Sequence, residues 1–376
     1  MFTFSQFLSE ETTGGGILHL EHPADRTFDG KHATEHAIKT LKGIASGETP
    51  VTRKIDDKVS FQAIRTPEGK VGVKYKGPGS KYNFSAQQIQ AQHGHKPYLA
   101  HPLKAVLAHV GKVLPNRPGE YQGGFMSTPE QRAHHEGHIS HTPNTVQYAA
   151  HKDSEEGKKL AASKVSMTIH SELKGPERTA HPILSQKEFQ KHPDVHLVSH
   201  ALSGKDRELA PEAKKEVSGH IKAAEELLKN HSHEHHAGHE STLRTYINKT
   251  VTGGTTPSTE GYRQHVSNVH DKQIEKVKME KTKASKRAEK SAALTHIDRN
   301  KEAFDRTFQI HHHVQQATNA LARGLDKSSG GGGFHTKIGG QESAGEGYVG
   351  GGLKVVDRQG FSRANLLKNA NLRSKE

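Results

Sequence analysis

The chain has 376 residues and no cysteine. That excludes disulfides, thiolate metal sites and cysteine nucleophiles, and leaves the redox compartment open. Hydrophobic residues are scarce at 31% and mean hydropathy is −0.82, so part of the chain is expected as exposed helix or loop. Aromatics, at 5%, are too few to stack bases along a single nucleic-acid strand. No apolar run reaches membrane-spanning length, and no membrane partner is expected. The start, Met1 to Leu8, is apolar but short and lacks basic residues, so it is not read as a secretory signal, and cytoplasmic synthesis is the default. A Walker-type phosphate loop is also missing. Gly330 to Gly333 and Gly350 to Gly352 lack the lysine and serine that should follow, and read as flexible linkers.

Positive charge is in excess: the formal net charge is +13 with 31 histidines uncounted. Such a balance favours polyanionic partners, RNA or DNA among them, although charge alone carries no specificity. Lysines crowd the stretch from Lys272 to Lys290, which is nearly all charge and reads as one long exposed helix able to track a phosphate backbone. Glu275, Glu280 and Glu289 interleave there, as they would on a merely solvated helix.

Periodicity sorts the chain into α+β order. Ala33, Ala37, Ile38, Leu41 and Ile44 fall at helical spacing. Val59, Phe61 and Ala63 alternate with polar neighbours, and Val71 to Lys76 do the same after Pro67-Glu68-Gly69, which predicts a β-hairpin. Ser85 is a plausible helix cap, Pro97 and Pro102 interrupt, and Leu103, Val106, Leu107 and Val110 give an apolar face. Strands are expected over 120–126, 144–149, 164–170 and 194–198. From about 205 to 328 the pattern is helical, with Pro211 at one helix start. Short strands are expected around 346–349 and 353–358, and a final helix over 364–372.

Two constellations carry possible chemistry. Lys54, with Asp56 two residues on and Lys74 and Lys76 on the return strand, has the parts for nucleotidyl transfer: a nucleophilic amine, an acidic neighbour and cations for a leaving pyrophosphate. His231, His233, His235, His236 and His239 form the second. His235 and His239 lie four apart, as helical zinc sites require, but Gly238 weakens a helix there. The preferred reading is a polar surface loop of histidine-biased composition.

Lys54-Ile55-Asp56-Asp57 is similar, at three of four places, to the lysine-x-aspartate-glycine motif of the polynucleotide ligase and mRNA-capping nucleotidyltransferase superfamily. Gly72-Val73-Lys74, Tyr121-Gln122-Gly123, Pro143-Asn144-Thr145, Glu346-Gly347-Tyr348-Val349 and Leu353-Lys354-Val355 follow in the order of that family's motifs. The chain thus resembles a phage-encoded group of that superfamily over about 1–200 and 334–365. The resemblance implies an antiparallel nucleotidyltransferase core, 1–204 and 330–376, with a helical, basic, histidine-rich insertion at 205–329. It implies ATP and Mg2+ as cofactors, and adenylylation of Lys54. Asp56 would contact ribose or hold the lysine, and Glu346 would bind the metal. Lys74, Lys76 and Lys354 would contact phosphates. It also implies action on RNA or DNA ends in the host cytoplasm, with association with the phage particle as a further expectation. Two positions depart from the pattern. Asp57 stands where the family has glycine, and Gly124 where it has an acid. These departures suit a second reading, a catalytically degenerate structural or nucleic-acid-binding relative.

Overall fold

The computed structural model describes residues 20–57, 59–77, 79–342, 345 and 347–364. In chain order it runs through a 3-10 turn (Pro23–Asp29), α1 (Lys31–Ser46), β1 (Val51–Arg53), β2 (Val59–Arg65), β3 (Val71–Tyr75), α2 (Ala86–His93), α3 (Pro97–Val110), β4 (Gly119–Ser127), β5 (Arg132–His135), β6 (His138–His141) and β7 (Gln147–His151). There follow α4 (Glu155–Ala162), β8 (Val165–Lys174), β9 (Thr179–Pro182), β10 (Val195–Leu197), α5 (Pro211–Leu228), α6 (Glu240–Gly253), α7 (Thr259–Glu275), α8 (Glu280–Arg299) and α9 (Lys301–Ser329). A Gly330–Gly333 turn leads into β11 (His335–Ile338), β12 (Gln341–Glu342), β13 (Tyr348–Gly350) and β14 (Leu353–Val355). The fold class is α+β. No described helix is long and apolar enough to cross a membrane.

The residues divide into two compact units. The first holds Leu20, Pro50–Glu208 and Leu325–Gly352; the second holds Glu21–Thr49, Leu209–Gly324 and the residues from Leu353 on. The helical region expected at 205–329 therefore corresponds to 209–324. It shares its unit with α1 and β14, segments that the sequence reading had given to the core.

In the first unit a sheet runs in the order β10-β8-β4-β2-β3, with β9 beside β8. Every pairing is antiparallel except β10 with β8. The predicted hairpin is present, with Phe61 opposite Tyr75 and Arg65 opposite Val71. Alternation sends Val59, Phe61, Ala63, Tyr121, Phe125, Met167 and Ile169 to one face, where Leu103, Val106 and Val110 of α3 cover them. The other face carries Ser60, Gly124 and Thr168 in one row, and Gln62 and Gln122 in the next. A second sheet has the order β12-β11-β7-β6-β5, and β1 pairs antiparallel with β13.

Three local expectations change. Pro97 and Pro102 do not break α3. Pro97 is its first residue, where a missing N–H costs nothing, and Pro102 lies inside it. Burial of Leu99, Leu103, Val106 and Val110 outweighs the one backbone bond that Pro102 gives up. The charged stretch 272–290 is two helices rather than one. α7 ends at Glu275 and α8 begins at Glu280. Ion pairs Arg263–Asp298 and Asp271–Lys290 tie them as an antiparallel pair. Third, Gly330–Gly333 is a 3-10 turn. Gly330, Gly332 and Gly333 hold φ of 55°, 68° and 83°, a left-handed run that side chains resist. The final helix expected over 364–372 lies almost wholly outside the described residues.

The second unit packs Phe28, Leu243, Ile247, Tyr262, Phe304 and Phe308 into its own core. It also buries an ion pair. Arg358 donates to Asp25 Oδ1 at 2.6 Å and to Asn248 Oδ1 at 2.6 Å, with His311 Nε2 3.4 Å from Asp25. Burial pushes the Asp25 carboxyl up, but the His311 hydrogen bond and the Arg358 charge overcome it and hold the group well below the usual range.

Two stability outcomes follow from these cores. Phe61→Ala should lower unfolding free energy in urea by about 3–5 kcal/mol, the cost of an aromatic-sized cavity. Arg358→Ala should cost about 3–5 kcal/mol, because it leaves Asp25 buried without its guanidinium partner and with His311 alone. The stability that Asp25 contributes is present above its ordinary value and is lost as pH falls through the depressed one, so in the wild type the loss appears only in strong acid.

Candidate functional site

Lys54 sits in the loop between β1 and β2, and two anchors fix that loop. Its own backbone N–H donates to the Gly347 carbonyl at 2.9 Å, and the Arg53 N–H donates to the His200 carbonyl at 2.7 Å. The loop lines a cavity of about 460 Å³ whose wall includes Arg53, Lys54, Tyr148, Phe334 and Tyr348. Gly330, Gly332, Gly333, Gly345 and Gly347 also line it, so much of the wall is bare backbone. The glycine tract is thus an ordered wall element, not a linker. Arg53 donates to the Ser329 carbonyl at 3.0 Å and fills the space beside Gly332, where any side chain would collide with its guanidinium. Tyr348 donates to Asp326 at 2.7 Å, and burial beside that carboxylate raises the phenol. Phe334 packs on both Tyr148 and His141.

Asp56 acts on the protein rather than on the cavity. One carboxylate oxygen accepts from Thr145 N–H at 2.8 Å and Val146 N–H at 3.2 Å; the other accepts from Asn144 Nδ2 at 3.0 Å. Its own N–H donates to Tyr148 Oη at 2.8 Å. These bonds clamp the Lys54 loop to residues 144–148.

Asp57 is the acid the motif did not predict. Its side chain lies against Gly124, where a Cβ would overlap its carboxylate. It accepts from Ser60 Oγ at 3.0 Å. Burial pushes it up to about 6; the Ser60 hydroxyl opposes the rise, Asp56 adds to it, and the ammonium groups of Lys54 and Lys76 oppose it. The two departures from the motif are thus one arrangement: the strand acid is missing at Gly124, and the Asp57 carboxyl occupies the space. Gly123, next to it, is held small for another reason, since a Cβ there would meet the Thr168 carbonyl and the Phe61 ring.

Lys54, Asp56 and Lys76 therefore gather around Asp57. Burial lowers Lys76 while Asp57 opposes the fall. Lys74 stands apart, opposite Gln62, with its ammonium 4.9 Å from the Tyr82 ring centre. Burial and Arg178 lower it, against Glu120. Arg178 bonds Gln62 at 3.0 Å and Tyr82 at 3.1 Å. Glu346 lies outside the described residues. Lys354 falls in the second unit, in β14, and its N–H donates to the Glu21 carbonyl at 2.9 Å.

One further cluster escaped the sequence reading, and the histidine cluster takes a form other than the expected one. Ser166 Oγ is 2.9 Å from His196 Nδ1, and His196 Nε2 is 2.8 Å from Glu156, the partners of a nucleophile relay. Ser166 is wholly buried, however, so the chain of bonds is structural. The histidine segment of the second unit is not a surface loop. His231, His235 and His236 are buried, and His235 lies in a 3-10 turn while His239 caps α6, so the expected helical pair does not form. No local signal could have given the Ser166–His196–Glu156 chain, whose partners come from distant segments, whereas the histidines are neighbours in sequence and only their partner Thr307 is distant.

These features define an α+β protein with a cavity in its first unit whose wall carries Arg53, Lys54 and several glycines. The chain belongs to a family of unknown function, DUF6267, whose model matches residues 18–370. No curated protein and no solved structure matches it.

Asp57 should titrate with a midpoint of about 6 in a carboxyl-carbon NMR titration. A raised carboxyl contributes stability that is full below its ordinary value and is lost as pH rises through about 6; Asp57→Asn should remove that fall. Lys54→Met should move the midpoint further up, since it deletes a neighbouring cation. Gly124→Ala should return the midpoint towards the ordinary range by expelling the carboxyl.

Proposed function

We propose that the chain is a nucleotidyltransferase of the polynucleotide-ligase type that receives a nucleoside triphosphate beside Lys54. The observation that carries this reading is the position of Lys54 on the wall of a cavity that also offers an arginine, aromatic rings and bare glycine backbone. The Lys54 amine, once deprotonated, attacks the α-phosphorus. A nitrogen–phosphorus bond forms, the bond to the β-phosphate bridging oxygen breaks, and pyrophosphate leaves with the electron pair. Arg53 supplies positive charge beside the polyphosphate. Asp57, ionised above about pH 6, is a carboxylate suited to take the ammonium proton. The lysine-bound nucleotide would then pass to a 5′-phosphate of RNA or DNA.

Magnesium, which the resemblance implies, has no donor set among the described residues. Asp56 already accepts three N–H bonds, and the expected ligand Glu346 is outside the description.

A second reading, a nucleotide- or nucleic-acid-binding protein without transfer chemistry, is favoured by Asp57, whose charge opposes a triphosphate.

The test is incubation of the full chain with α-labelled ATP or GTP and Mg2+ or Mn2+, followed by denaturing electrophoresis. Covalent label that Lys54→Ala abolishes is the expected result, with a drop of at least a hundredfold. Saturable nucleotide binding without label would select the second reading. Neither label nor binding across nucleotides and metals would overturn both.

A further inference from the structure

Four polar contacts meet at one hydroxyl in the second unit. Thr307 Oγ1 lies 3.0 Å from His231 Nε2, 3.0 Å from His235 Nε2 and 2.7 Å from His236 Nε2, and it is 3.0 Å from the Ala303 carbonyl. A hydroxyl has one proton to give and two lone pairs to accept with. Three bonds saturate it, so the four contacts cannot all be hydrogen bonds. The imidazoles are only 7%, 6% and 2% exposed, and a polar nitrogen buried without a partner is destabilising. The shortfall extends outward. His236 Nδ1 and both ring nitrogens of His233 are buried with no hydrogen-bond partner among the described residues. The His233 ring centre is 4.6 Å from that of His231.

A hydroxyl does not need three imidazoles, but a metal ion does. One ring nitrogen from each of the three lies within 4.8 Å of those of the other two, and all three Nε2 atoms converge on Thr307 Oγ1. A tetrahedral ion with metal–nitrogen bonds of about 2.0–2.1 Å asks for nitrogens about 3.3 Å apart, a contraction that small ring rotations supply. The framing is apolar: Phe304 meets the His235 ring edge-on at 4.7 Å, and Phe28 meets His236 at 6.2 Å. An all-imidazole set suits zinc, cobalt, nickel or copper and is wrong for magnesium or calcium, which take oxygen ligands.

We propose that His231, His235 and His236 bind one divalent transition-metal ion of the zinc class through their Nε2 atoms, with the Thr307 hydroxyl facing the fourth position. The ion pins the segment after α5 to the N-terminal part of α9, so its role is to fasten the helical unit. The site is independent of the reading given to Lys54.

The experiment uses the full chain, stripped with a chelator and dialysed. Zn2+ alone is added, followed by gel filtration and metal analysis, and Co2+ alone is added for absorption spectroscopy. One equivalent of zinc retained per chain is expected, as are the intense visible bands of four-coordinate cobalt. His236→Gln should lose both, while the exposed pair His134→Ala/His135→Ala should keep both. Many weak equivalents with no step at one, or equal retention by His236→Gln, would overturn the site. If His236→Gln does not fold, the wild type decides. A higher unfolding midpoint with one equivalent of Zn2+ upholds the proposal, and an unchanged midpoint with no retained zinc overturns it.

Discussion

The Asp56 carboxylate is the constraint on which the first unit's cavity depends. Three donors from residues 144–146 close on its two oxygens, and its N–H reaches Tyr148. A short loop between two strands has too few contacts of its own to hold a lysine in one place. The clamp gives the Lys54 loop a fixed floor and at the same stroke sets Tyr148 as a wall. Charged acceptors of backbone N–H groups are among the stronger hydrogen bonds a protein makes. In this lysine-x-aspartate pattern the aspartate builds the loop that carries the lysine to the cavity wall.

The neighbouring acid follows a different logic. Asp57 fits because Gly124 has no side chain, and its charge sits between two lysines that make burial tolerable. An acid so placed is poised near the middle of the physiological range, where a modest change in surrounding charge decides whether it holds a proton. Entry of a polyanion would favour the protonated form; an added cation would favour the ionised one. The pair Asp57 and Gly124 therefore couples the charge of whatever occupies this region to a single proton.

The hairpin of β2 and β3 was legible because period-two alternation and a Pro-Glu-Gly turn are local signals, and the second unit's helices were legible from their apolar spacing. The misreadings share one cause, the dominance of distant partners. Pro102 stays helical because the sheet buries its neighbours. The break between α7 and α8 contains neither glycine nor proline, and pairing across the helices, Arg263 with Asp298 and Asp271 with Lys290, defines it instead. Gly330 to Gly333 looked slack because glycine permits every conformation, but Arg53 crowds Gly332 and Glu156 crowds Gly333, both distant in sequence. The histidines stand together in the sequence, but their convergence on Thr307, more than 70 residues further on, has no local trace.

The first unit is cut from separate stretches of chain, with most of the second unit lying between them. Lys54 and Tyr148 lie upstream of that long interruption, whereas Asp326, Phe334 and Tyr348 lie downstream of it. During synthesis the early half of the cavity must wait for nearly two hundred further residues before its other wall exists. Until then β1 lacks its partner β13, and Lys54 has no Gly347 carbonyl to hold its backbone. Closing so long a loop is slow and late in folding. A nascent or truncated chain can therefore own the lysine without owning the cavity, so whatever this pocket accepts is met only by finished molecules.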